Sequence, residues 1–431
     1  MINLFRIIIK RIFYLLNNFL FLILFITSLV LTIYYFTLPP LQIDSRWYIE
    51  LAKGHPYNVG KPFSTRILYP LIVGNFSEIT ELTLNDSFLA INALALIAFV
   101  ATITIIIKST TSYSIIALPL LFSPFLLFLF SGYYLPDLFY ASLLSLFIVC
   151  IIYHKYYHSL ILLFLLLLIR ENTVILSLSL VAISVWKSQK VFALVTIIVT
   201  ILGLIITYLA ALQGGPNVHN LNPFFYIVFK IPANFLSNVM GLRLWTDTLA
   251  ANPITAECFS PNPLISVMLP KWLQLGGIHK IGIYPFTIGP PIYTIETLLT
   301  IFGVAPSLLF VDLKTHYQKL KTNNFSMLVI LLYGIFSFII GTSSGADTYR
   351  LISYGWPAFI IATPILIYKH YSLDLKSICL LIIIHSFICW VPWIFTAIVH
   401  NFILCNTLII VFAIIFHYLA IRELRKARVR T

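Results

Sequence analysis

Apolar runs of about 20 residues recur from one end of this chain to the other, and no other feature restricts its fold as strongly. Segments 91–107, 191–212 and 402–420 contain no Asp, Glu, Lys or Arg at all. In hydrocarbon every backbone N–H and C=O must be satisfied within the protein, which leaves helices for runs of this kind. Of the 431 residues, 60% are hydrophobic and 10% charged, so a soluble multidomain chain is excluded. The expected class is all-α, a polytopic membrane helix bundle with residues 1–431 in a single transmembrane domain. Lys and Arg number 27 against 14 Asp and Glu. The cations lie in short loops between apolar runs, where they set orientation, so the lipid bilayer and not a nucleic acid is the expected partner. Five cysteines show no C-x-x-C spacing, and four lie in apolar runs as small buried hydrophobes.

Orientation follows from the basic loops. Arg6, Lys10 and Arg11 precede the first span, 12–38, which reads as an uncleaved signal anchor ended by Pro39 and Pro40. The first extracytoplasmic loop, 39–87, is expected to hold an interfacial helix over 45–54, with Trp47 and Leu51 on one face and Gly54 as its stop. Spans 88–107, 115–130 and 138–153 follow. The Leu-rich stretch 160–186 is interrupted by Arg170-Glu171-Asn172. As one span it would place Lys187 and Lys190 outside and bury a charged pair at mid-bilayer. Two short legs, 158–169 and 173–186, remove both problems, with their turn below the membrane surface in a protein-lined, water-accessible cavity. Beyond 191–212 comes a long extracytoplasmic loop, 213–286, then spans 287–311, 325–340, 351–368, 378–399 and 402–420, and a basic cytoplasmic tail, 421–431. The total is about twelve membrane segments with both termini cytoplasmic.

With that topology the unexpected polar residues converge on the outer face: Asp44 with Arg46, Asp137, Arg170 with Glu171, and Asp347 with Arg350. The stretch 44–70 also carries Trp47, Tyr48, Lys53, Lys61 and Arg66, a density that a purely interfacial loop explains as well. Arginine's planar fork suits phosphate oxygens, and a carboxylate within reach of a hydroxyl can act as general base. Each residue has an ordinary local role open to it too. Asp44 and Asp137 are credible helix N-caps, Arg170 and Glu171 can satisfy each other, and Asp347 with Arg350 has the spacing of an i, i+3 ion pair.

Asp44 just outside the first span, Trp47-Tyr48, Ala52, Gly54 and the element Arg66-Ile-Leu-Tyr-Pro70 together resemble the first extracytoplasmic loop of the GT-C superfamily, membrane glycosyltransferases that use polyprenyl-phosphate-linked sugars. The Arg170-Glu171 turn, Asp347-Thr-Tyr-Arg350 and Tyr354-Gly-Trp-Pro357 are similar to features of its bacterial members. The resemblance implies a GT-C-like fold in a bacterial inner membrane and hexosyl or pentosyl transfer, with inversion, to a glycan, lipid or protein acceptor. It makes Asp44 the catalytic carboxylate and Arg170 and Arg350 binders of the lipid phosphate. Arg46, Tyr48, Arg66, Asp137, Glu171 and Asp347 complete the expected substrate-binding set. No D-x-D or E-x-D surrounds Asp44, so no metal or other cofactor is expected. The alternative is a carrier or flippase for a lipid-linked sugar or related amphiphile, since broken helices and intramembrane charge also mark transport sites.

Overall fold

In the computed structural model the apolar runs are helices, and the polar breaks between them are where the chain turns. The structure describes residues 44–111, 123–215, 231–242, 244–246, 264–271, 274, 279–283, 286, 288–311, 325–343 and 348–429, with isolated positions 18, 23, 26, 27 and 29. In chain order the elements are α1 (Ser45–Ala52), α2 (Leu68–Thr80), α3 (Leu84–Thr111), α4 (Pro124–Ser131), α5 (Asp137–Ile152), α6 (Tyr156–Leu167), α7 (Thr173–Trp186), α8 (Lys190–Gln213) and α9 (Ile231–Met240). A small antiparallel sheet of β1 (Leu244–Thr246), β2 (Ile265–Met268) and β3 (Lys280–Ile283), in the order β1-β3-β2, follows within the long loop. Then come α10 (Gly289–Phe302), α11 (Ala305–Phe310), α12 (Phe325–Ser343) and α13 (Thr348–Ser353), a π-helical turn Pro357–Ala362, and α14 (Thr363–His370). The last elements are β4 (Tyr371–Ser372), α15 (Leu375–Ile398), α16 (Phe402–Lys426) and β5 (Arg428–Val429).

Five of these helices, α3, α8, α12, α15 and α16, are long and apolar enough to cross a membrane, and α5, α6 and α7 are shorter apolar helices. The main core joins α3, α5, α6, α7, α12 and the π-helical turn around Phe99, Phe130, Tyr140, Phe147, Tyr333 and Trp356. A second cluster holds α15 and α16 against α10, α11 and α14. A third, built on Tyr48, Phe63, Tyr69 and Phe88, packs α1 and the loop after it onto α2 and α3. The five long helices have their apolar residues spread around the circumference, as expected where both neighbours and surroundings are apolar.

The two-leg reading of 158–186 agrees with the structure. α6 ends at Leu167, α7 begins at Thr173, and the chain reverses through Arg170-Glu171-Asn172. At the other end of these legs, Tyr156, Phe192 and Phe325 stack within 4.9–6.1 Å of one another, which places the starts of α6, α8 and α12 side by side. The depth of the turn follows from α8. A Cβ on Gly203 would meet Leu167 Cδ1 at 2.7 Å, so α8 passes the top of α6 there and continues ten residues, about 15 Å, to Gln213. The Arg170 turn is therefore sunk well below the outer end of α8.

Other expectations change. Helix α2 adds a second helix to the expected loop 39–87, in which only 45–54 reads as helical from the sequence. The run 287–311 breaks at Gly303, whose φ is +50°, and the run 351–368 is interrupted by the π-helical turn. Most of the first span, 12–38, and Asp347 lie outside the described residues, as does the early part of 115–130. At the tail end, β4 pairs with β5 and Ser377 Oγ donates to Glu423 Oε1 at 2.7 Å. The loop before α15 and the C-terminal strand thus meet at one end of the bundle.

Candidate functional site

The site is built first by placing α1. Its last turn closes in a Schellman arrangement: His55 N–H donates to Glu50 O and Gly54 N–H to Leu51 O, each at 3.0 Å, with Gly54 at φ +77°. Glu50 accepts from Asn58 Nδ2 and Lys53 Nζ, each at 3.0 Å, and these bonds hold its carboxyl down at about 2. On α2, a side chain at Gly74 would meet the Ala52 carbonyl oxygen at 2.4 Å, so only glycine lets the two helices approach this closely. Asp44, directly before α1, is thereby fixed against the bundle. Its carboxylate makes no capping bond to the helix; Oδ2 lies 3.3 Å from Arg350 Nη1, 306 positions along the chain.

Arg350 arrives on α13 because α12 lets it come close. A Cβ at Gly341 would lie 2.4 Å from the Leu351 carbonyl oxygen. One residue beyond α13, Tyr354 is buried, and its hydroxyl donates to Asp137 Oδ1, which also accepts from Arg170 Nη2. The Arg170 guanidinium lies 5.2 Å from the centre of the Tyr354 ring. Arg66 completes the set. Its Nε donates to Glu171 Oε2 at 3.0 Å and Nη2 to Oε1 in a fork, while Nη1 donates to Tyr48 OH at 2.8 Å. Leu68 N–H donates to Leu168 O at 3.2 Å, joining the end of this loop to the sunken turn.

Three arginines thus face three carboxylates in one cluster, drawn from five separate parts of the sequence, and the formal charge cancels. For Asp44, Asp137, Arg170 and Glu171 the local roles give way to long-range ones. Asp137 is the first residue of α5 and caps nothing, Arg170 and Glu171 each pair elsewhere, and Arg350 pairs with Asp44. Burial differs sharply among the pairs. The side chains of Arg170 and Asp137 are 3% and 4% exposed, those of Arg350 and Asp44 are 11% and 29%, and those of Arg66 and Glu171 are 6% and 51%. Asp137 Oδ2 and Arg170 Nε are buried without a hydrogen-bond partner among the described residues.

Of the residues expected from the sequence, Asp44, Tyr48, Arg66, Asp137, Arg170, Glu171 and Arg350 come together. Arg46 does not join them: it is exposed and lies over the Trp47 ring at 4.4 Å. Tyr354 was legible only as part of a motif, although its four-residue spacing from Arg350 is the signal that a shared helical face would give. Behind the cluster, Thr173 Oγ1 donates to Leu166 O at 3.0 Å and Tyr140 OH lies 3.2 Å from Tyr333 OH. The first bond closes the sunken turn, Thr173 Oγ1 also lies 3.3 Å from Tyr140 OH, and the tyrosine pair joins α5 to α12. Among the described residues no three His, Cys, Asp or Glu side chains gather as metal ligands.

No family model, curated protein or solved structure matches the chain.

Proposed function

We propose that this protein is a GT-C-type membrane glycosyltransferase that moves a hexosyl or pentosyl group from a polyprenyl-phosphate donor to an acceptor hydroxyl, on the extracytoplasmic side of a bacterial inner membrane. The reading includes about twelve membrane segments with both termini cytoplasmic. One observation carries it: Asp44 and Arg350 meet at a partly open position beside a cluster of further arginines and carboxylates. A lipid-linked donor keeps its chain in the bilayer and its sugar at the surface, so the enzyme needs a polar site against apolar helices, which this arrangement supplies. Asp44 takes the proton of the acceptor hydroxyl as the oxygen attacks the anomeric carbon. The bond from that carbon to the phosphate oxygen breaks with inversion, and the departing phosphate is stabilised by guanidinium groups. Arg350 is the better placed for this role, because Arg170 is enclosed and already paired with Asp137.

The test is transfer from a panel of polyprenyl-phosphate sugars by purified wild type and Asp44→Asn. The substitution is expected to lower the rate by about 100-fold to 10,000-fold. Equal transfer by both removes Asp44 as the base. Translocation of lipid-linked sugar by wild type with no transfer to any acceptor replaces the enzyme with a carrier.

A further inference from the structure

At the end of the bundle away from the ionic cluster, α11, the π-helical turn, α14 and the first half of α15 line an open groove of about 80 Å³. Its wall is aliphatic and aromatic, including Ala305, Leu308, Phe359, Ile367 and Leu381, with few polar groups. Thr363 contributes a hydroxyl that already donates to Ala358 O at 3.0 Å. His385 contributes Nε2, which is buried and has no hydrogen-bond partner among the described residues. Held water needs two to four polar partners, and the Thr363 and Tyr368 hydroxyls with one orphan nitrogen, on an otherwise apolar wall, leave most of the groove without them. The content of this groove should therefore be apolar.

What lies next to it is visible on α15. Leu380 and Ile383 are exposed beside the lining residues Leu381 and Ile382, on a helix of membrane-crossing length. In a bilayer those outward side chains meet hydrocarbon, and the groove continues that surface inward. His385 lies ten residues past the start of α15, about 15 Å along it, which is half the roughly 30 Å hydrocarbon core. The groove thus spans about one leaflet, starting from the side where β4 and β5 pair.

We infer that this groove is a lipid site that takes one hydrocarbon chain of a membrane phospholipid from the leaflet on the C-terminal side. The inference rests on membrane embedding alone and stands apart from sugar transfer. The test places the full chain in phosphatidylcholine vesicles containing phosphatidylcholine with a photoactivatable diazirine on its acyl chain, and maps the label by peptide mass spectrometry. Label on the nearly buried Leu308 and Ile367, as well as on outward Ile383, is the expected result. Label confined to outward residues such as Ile383 and Ile414 overturns the site. Leu381→Trp should fill the groove and remove most of the label from Leu308 and Ile367 while leaving that on Ile383; undiminished label on Leu308 also overturns it. Should that variant fail to fold, the wild-type map decides alone.

Discussion

The Arg170–Asp137 pair and the Arg350–Asp44 pair use the same chemistry in different surroundings. The first is enclosed by Tyr354 and the main core, whereas the second keeps nearly a third of its carboxylate open. Enclosure makes a pair expensive to break, because whichever partner remains is a charge without water or counter-ion. Exposure makes a pair cheap to break and available to a ligand. The difference teaches that the ionic cluster has two parts, one that holds the sunken turn to α5 and the Tyr354 segment, and one that stays partly open.

The sharpest way to break this division is to remove one arginine from each pair. Arg170→Ala should cost about 3–5 kcal/mol. Arg350→Ala, from a pair whose carboxylate stays partly open, should cost less, about 1–3 kcal/mol, while disrupting the proposed transfer. Thermal unfolding of both variants in detergent decides, and equal losses would erase the distinction. Next in size is Gly341→Ala, which touches no charge but pushes against the Leu351 carbonyl. It should cost about 1–3 kcal/mol and displace α13, with transfer falling more than for a substitution on the lipid face.

The third pair sharpens the comparison, since it is enclosed on its arginine side and open on its carboxylate side. Arg66→Lys keeps the charge but loses the fork to Glu171, and a loss of about 1 kcal/mol is expected by the same unfolding measurement. The smallest effect concerns Glu50, which lies outside the cluster. Its carboxyl titrates at about 2 when folded against an ordinary 4.5, so its contribution is fully present above pH 4.5 and is lost as pH falls toward 2. Pepsin cleavage of the segment around α1 should therefore rise over that interval in wild type, and the rise should flatten in Glu50→Gln.

Much of the helical framework was legible because apolar runs and basic loops act over short distances. Helix α7 spans the residues expected of the second short leg, and Gly54 ends the interfacial helix through its positive φ. The pairing of the charges was not legible. Local rules give Asp44 and Asp137 to helix caps and Arg170 to Glu171, yet the partners found lie 33, 105 and 306 positions away. Nothing along the sequence encodes those distances; they follow from close approaches at Gly74 and Gly341 that only a packed bundle reveals. The convergence of acids and arginines at one end was expected from topology, whereas their sorting by burial was not. The break at Gly303 and the π-helical turn were hidden inside runs that look uniform.

That turn has a consequence for how such a protein can change. A π-helical stretch accommodates one residue more than an α-helix of the same rise, and Pro357–Ala362 sits between the segment carrying Arg350 and Tyr354 and the helix α14. Deleting a single residue here would let the stretch relax to regular winding. Five residues wound as α-helix turn through nearly the same angle as six wound this way, so the residues upstream would keep their setting relative to those downstream. The angular setting of Arg350 against Asp44 therefore does not depend on the surplus residue, and the loss of one codon here would straighten the winding without moving any member of the ionic cluster.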